Sequence, residues 1–222
     1  MTALPDLTLD TLKSEASKYA RLLTATPVPA LFGVTDGKAV GTHVEAEFNA
    51  HILTSYGNTQ GNAAKGIDFP ALNVDLKVTS ARQPQSSCPY RDAKQKVYGL
   101  GYHLLVFVYT KIDDHELQAA RLDIQQVLFI DQTLTGDFQT TTGIAAILTN
   151  NGNQDDLEAF IEERNLPVDE IGRRDLAELI LEQPPTVGCL TISNALQWRL
   201  QYGRALQMAQ PGPGPHPEAL LV

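Results

Sequence analysis

Apolar and polar positions along the 222-residue chain change period several times, and each change predicts an element. Leu12, Ala16, Tyr19 and Leu23 recur at spacings of three and four, placing one apolar stripe on a helix over residues 8 to 25. Thr8 or Asp10 can cap it, Pro27 and Pro29 end it, and a packing or dimer-contact role suits it best. Val44, Phe48 and Ile52 mark a second helix, opened at Gly41-Thr42. Between residues 74 and 79 the period drops to two: Val74, Leu76 and Val78 alternate with Asp75, Lys77 and Thr79, as on a half-buried strand. The run YHLLVFVYTK, residues 102 to 111, is nearly continuous in apolar character and predicts a strand covered on both faces. A short helix over RDAKQKVYGLG precedes it and a further strand at residues 121 to 131 follows.

Beyond residue 136 the pattern is mostly helical. DFQTTTGIAAILT contains a short helix, and Asp155 to Arg164 and Val168 to Glu182 form two acidic amphipathic helices joined through Leu166-Pro167. TVGCLTIS predicts a strand. NALQWRLQYGRALQMAQ predicts a helix with Leu196, Leu200 and Met208 among its apolar positions and Trp198 and Tyr202 as core or interface residues. Residues 211 to 222, rich in proline and glycine, predict a flexible tail. The domain reading is one domain over residues 1 to 210, with a core at about 38 to 135 and additions over 136 to 210.

Chemistry concentrates in GIDFPALNVDLKVTS, residues 66 to 80. Asp75 and Lys77 share a strand face about 6.6 Å apart along the strand, at roughly 3.3 Å per residue. Pro70 and Asn73 favour a turn that would bring Asp68 back beside Asp75. The segment thus reads as a metal site on a β-hairpin. An Asp-x-Lys triplet alone is a weak signal, because Asp36-Gly37-Lys38 and Asp92-Ala93-Lys94 repeat it. The first of these lies in a turn-like Thr-Asp-Gly-Lys stretch and the second at a helix start. Only Asp75 combines strand alternation with an aspartate one turn upstream. The glycine-rich stretch at residues 57 to 66 lacks Walker spacing and predicts a mobile loop next to this site.

Composition narrows the rest. With 43% hydrophobic and 19% charged residues the chain can bury a sizeable core. No apolar run approaches the roughly 20 residues of a bilayer span, and residues 1 to 16 lack a signal-peptide pattern, so a cytoplasmic protein is expected. Cys88 and Cys189 have no metal-ligand or disulfide-framework spacing and are expected to be free thiols, and His43 and His51 to be polar surface residues. The net charge of −9 argues against nucleic acid at first sight. It is, however, segregated: residues 77 to 111 carry six basic side chains and one acid, whereas residues 155 to 182 carry ten acids and three arginines.

Asp68 followed by Asp75-Leu76-Lys77 resembles the PD-(D/E)XK nuclease superfamily, and NVDLKVTS is particularly similar to type II restriction endonucleases. The resemblance covers about residues 38 to 111, and departs from the pattern in that Asp68 follows Ile67 with its proline two residues later. It implies an α/β fold, a mixed central β-sheet flanked by helices, here with an additional helical C-terminal portion. The order helix, two strands, helix, strand agrees with that core. It further implies a homodimeric, Mg²⁺-dependent enzyme, with Mn²⁺ a substitute, that cuts double-stranded DNA at a specific sequence. Asp68 and Asp75 would be the metal ligands and Lys77 the group that positions the attacking water. Glu45 would complete the site, in a setting matched by Gly41, Glu45 and Phe48. Its place near the apolar stripe suits this better than that of Glu47, which should face water, although a plain surface glutamate is an equal alternative.

The polar stretch after the strand supplies groups for phosphates or base edges: Ser80, Arg82, Gln83, Gln85, Ser86 and Arg91, together with Lys65, Lys94 and Lys96. A polar loop broken by prolines is the bland alternative. Two rivals stay open on sequence: a structure-selective repair or recombination nuclease, and a DNA-binding protein without catalysis.

Overall fold

The computed structural model describes residues 4–57, 66–87, 92–193 and 199–221. They divide into two compact units, each built from separate stretches of chain. The first comprises residues 1–86, 103–130 and 209–222, and the second residues 87–102 and 131–208.

The first unit opens with α1, Leu9–Ala25, capped by Thr8, whose hydroxyl accepts from the Thr11 backbone N–H while Thr11 returns a bond to the Thr8 N–H. Helix α2 spans Gly37–Ser55. It begins about one turn before the expected Gly41-Thr42 start, because Asp36 accepts from the Lys38 N–H at 3.1 Å and satisfies the first turn. Asp36 is therefore a helix cap rather than a turn residue. Strand β1, Val74–Ser80, runs parallel to β3, His103–Asp114, which pairs antiparallel with β4, Ala119–Ile130. The two parallel strands carry β2, Gln85–Ser87, and helix α3, Lys94–Tyr98, in the sequence between them, as a parallel pair needs a crossover.

The C-terminal segment corrects an expectation. Instead of a flexible tail, residues 210 to 219 supply two short strands, Gln210–Pro211 and Glu218–Ala219. The second pairs antiparallel with β4 through Leu128 and Phe129, giving a five-stranded mixed sheet. A 2.6 Å ion pair between Lys13 and Glu218 fastens it to α1. Pro211 lies on the outermost strand, where a missing N–H costs no ladder bond.

Helices α1 and α2 pack on this sheet over a core that includes Leu12, Tyr19, Phe48, Leu76, Phe107 and Leu122. Phe48, fully buried, is its hub, with ring centroids 5.2 Å from Tyr19, 5.4 Å from Phe107 and 6.0 Å from Phe69. Strand β3 is buried along residues 103 to 109 on both faces, as its unbroken apolar run requires. His51 is no bare surface residue: its Nε2 lies 2.9 Å from Glu15, which also accepts from Lys18 and Tyr56. These bonds hold the Glu15 carboxyl below its ordinary range, with the Lys18 contact the largest cause.

The second unit is mainly helical: α3, Lys94–Tyr98; α4, Phe138–Thr149; α5, Gln154–Glu163; and α6, Glu170–Glu182. Its core joins Val97, Ile144, Leu157, Ile161, Leu176 and Ile180. Asp137 caps α4 and also accepts from the Ile192 N–H at 2.8 Å. Two expectations fail here. Of TVGCLTIS only Thr191–Ile192 is strand, and the described part of the expected helix over residues 194 to 210 is a strand, Arg199–Gln201, then a six-residue helix, Gly203–Met208. Thr191 and Ile192 pair with Gln201 and Leu200, and that pairing overrides the helical spacing. Tyr202 is fully buried, as a core residue should be, while Trp198 lies outside the described residues. Cys189 is a buried free thiol whose pKa burial pushes up to about 12, and Cys88 lies outside the described residues. Among the described residues no helix is long and apolar enough to cross a membrane.

Candidate active site

The upstream arm of the expected hairpin is a single antiparallel bridge rather than a strand. Phe69 and Val74 exchange both backbone bonds, at 2.9 and 3.1 Å, around Pro70-Ala71-Leu72-Asn73. Asn73 takes a left-handed φ of 55°, which asparagine tolerates better than most residues. The ring of Phe69 is buried against Phe48, so the bridge is anchored in the core next to Asp68.

The turn returns Asp68 to β1. One oxygen of Asp68 accepts from the Leu76 backbone N–H at 2.9 Å, and its carboxyl lies within hydrogen-bond reach of Asp75. The Lys77 ammonium stands 2.7 Å from Asp75 Oδ2 and donates to the Leu76 carbonyl at 3.0 Å. Asp75 is only 3% exposed. Burial, joined by the Asp68 carboxyl, pushes its pKa up to about 7 against the opposing pull of Lys77. Val74 and Leu76, fully buried on the other face, fix the strand so that Asp75, Lys77 and Thr79 share one side.

Helix α2 contributes two groups. Glu45 is half-buried and its pKa is raised, mainly by burial, while it feels Lys77 and Asp68 and accepts from the Val78 backbone N–H. Glu47 is exposed, in line with the helical-wheel argument. Asn49 was not singled out by sequence: its side-chain amide donates to the other oxygen of Asp68 at 3.4 Å. It lies four residues after Glu45 and so on the same helix face, a spacing that could have flagged it. Gly41 is buried where α2 packs on β1, and a Cβ there would make only an ordinary contact, 3.5 Å, with the Val78 carbonyl.

The donors are hard carboxylate oxygens, two of them brought together in a buried position with a neighbouring ammonium. That set fits a hard divalent cation held by two protein carboxylates and otherwise by water. Among the described residues no group of three or more His, Cys, Asp or Glu side chains is placed to hold a metal ion together.

Ser80, Arg82, Gln83, Gln85 and Ser86 follow the site directly, with Arg82 and Gln83 exposed. Lys94, in the second unit, is exposed. Lys96 is 3% exposed, so its ammonium is not on an open surface that a phosphate could reach. Asp92 accepts from the Gln95 N–H at the start of α3, as its helix-start pattern implied. Lys65 and Arg91 lie outside the described residues.

No solved structure matches the chain. The family model described as "Type II restriction enzyme NspV" matches residues 6–215. The curated "Type II restriction enzyme NspV" of Nostoc sp. (strain ATCC 29411 / PCC 7524) is 54% identical over 203 residues, covering 91% of this chain and 92% of the relative. With a match across both units and through the Asp68–Lys77 segment, the chain belongs to the type II restriction enzyme NspV family.

Proposed function

We propose that this type II restriction endonuclease hydrolyses phosphodiester bonds of double-stranded DNA at a specific sequence, in a Mg²⁺-dependent reaction of the PD-(D/E)XK kind. The observation that carries the reading is the convergence of Asp68, Asp75 and Lys77: two oxygen donors at hydrogen-bond distance and an ammonium 2.7 Å from one of them. Asp68 and Asp75 would hold the cation, which when bound would offset charge on the scissile phosphate and acidify a water.

The protein's own groups supply the rest. Lys77, tethered by the Leu76 carbonyl, is a point charge that can swing from Asp75 toward the phosphate or the attacking water. Asn49 and the Leu76 N–H hold the two oxygens of Asp68, so its orientation is set before substrate arrives. Glu45, with a raised pKa beside Lys77, would hold a water or proton at the edge of the site. Arg82, Gln83 and their neighbours would face the DNA, with Lys65, Arg91 and Lys94 contacting phosphates. Cutting both strands of a short palindromic site suits a two-fold dimer. Family membership favours this over a structure-selective nuclease or a non-catalytic binder.

Digestion of a sequenced plasmid with Mg²⁺, followed by end mapping, tests the proposal. Discrete bands with one common end sequence are expected. Cleavage only at flaps or junctions, or salt-sensitive binding without cutting, would overturn it.

A further inference from the structure

Thr79 follows Asp75 and Lys77 on the same side of β1, yet it is not arranged for chemistry. It is 4% exposed, and its hydroxyl is spent on the loop ahead: it accepts from the Gln85 backbone N–H at 2.9 Å and lies 3.0 Å from the Gln85 carbonyl, to which it can donate. A weaker approach to the Gln83 carbonyl, 3.5 Å, is the alternative acceptor. The near side of the loop is pinned separately, by the Ala81 N–H to the Tyr109 carbonyl at 2.8 Å and by the Gln83 N–H to the Ser80 carbonyl at 3.2 Å. Residues 80 to 85 thus form a closed loop fixed at both ends, and its exposed tip carries Arg82 and Gln83. Those side chains can make bidentate contacts with guanine and adenine respectively.

We propose that Thr79 is a positioning residue that locks the Arg82–Gln83 loop in register with the Asp75–Lys77 strand, so that sequence reading by the loop places the scissile phosphate at the catalytic groups. The inference rests on the proposed DNA contact by that loop. The physical reason is rigidity. A loop whose far end is tied by a buried hydroxyl to the strand bearing the catalytic pair moves with that strand, and with that end released a correct base contact fixes less closely where the phosphate lies. Valine keeps the shape of threonine and its β-branch, but removes both bonds and leaves the Gln85 N–H without its partner. Serine keeps the hydroxyl.

The test compares wild type, Thr79→Val, Thr79→Ser and Arg82→Ala/Gln83→Ala. Each is assayed for cleavage of the mapped site and of sites with one base changed, and for DNA binding with Ca²⁺ in place of Mg²⁺. Thr79→Val should lose roughly tenfold or more in discrimination between correct and altered sites, and Thr79→Ser should restore most of it. If Arg82→Ala/Gln83→Ala keeps wild-type binding and discrimination, the DNA-contact reading of the loop fails. If that double variant is impaired while Thr79→Val discriminates like wild type, the positioning role alone is overturned. A uniform fall in kcat on all sites by Thr79→Val, with unchanged discrimination, also overturns it. Should the valine variant not fold, hydrogen exchange on the wild-type protein decides: the Gln85 amide, bonded to the buried Thr79 hydroxyl, should be protected relative to those of Arg82 and Gln83, whose bonds to Ser80 close only the local turn, and exchange at the same rate as theirs would count against the lock.

Discussion

Lys77 is the counter-charge of Asp75: its ammonium stands 2.7 Å from a carboxylate whose side chain is 5% exposed. The pair fixes the polarity of the site, and each member depends on the other. Asp75→Asn and Lys77→Ala should each lower Mg²⁺-dependent plasmid cleavage by at least about a hundredfold, the scale of removing one positioned charge-stabilising group. Circular dichroism should remain that of a folded protein. Cleavage by both variants at the parental rate would remove this pair from the mechanism.

The raised pKa of Asp75 gives a pH signature. Its folded value, about 7, lies above the ordinary 3.8, so the fold favours the neutral acid. The stability this group contributes is therefore fully present below pH 3.8 and is lost as pH rises through about 7. A divalent cation needs the ionised form and should offset that loss. In EDTA the melting temperature should fall between pH 5 and 8 relative to Asp75→Asn, and the stabilisation by added Ca²⁺ should grow over the same interval. A Ca²⁺ effect independent of pH would contradict this account.

Asn49 and Leu76 hold the two oxygens of Asp68, at 3.4 and 2.9 Å. Asn49→Ala removes the weaker anchor and should lower Mn²⁺ affinity, read by calorimetry on the DNA-free protein, by roughly tenfold. Changes in metal affinity of this size follow from the loss of groups that orient ligands. Unaltered Mn²⁺ binding would show that the backbone bond suffices.

Glu45 and Glu47 share a helix but not an environment. Glu45→Gln should reduce kcat by about tenfold or more and shift its pH profile, because Glu45 is half-buried beside Lys77. Glu47→Gln, at an exposed position, should leave kcat within about twofold. The reverse ranking would mean that α2 presents a different face to the site when DNA is bound.

The C-terminal strand, Glu218–Ala219, extends the sheet from β4 and ties back to Lys13. Truncation after residue 209 should destabilise the protein by about 1–3 kcal/mol, by uncovering an edge strand and unpairing Lys13. Urea denaturation with an unchanged midpoint would show that the segment is dispensable.

What the sequence determined was local. Alternation along Val74–Val78 sends Leu76 inward and puts Asp75 and Lys77 on one face, since a strand's period of two needs no knowledge of its neighbours. The Pro70–Asn73 turn likewise returns Asp68 within eight residues of Leu76, a reach set by backbone chemistry alone. Tertiary structure decided whatever joins distant segments. It brought Asn49 of α2 to Asp68 and set a half-buried Glu45 within the fields of Lys77 and Asp68. It also buried Lys96, turned residues 199 to 201 into strand and drew the Pro-Gly tail onto β4. Side-chain periodicity records which face of an element is apolar, but not which partner covers it. Helix propensity at Arg199–Gln201 and chain flexibility at Glu218 therefore yielded to pairings that no short window of sequence contains.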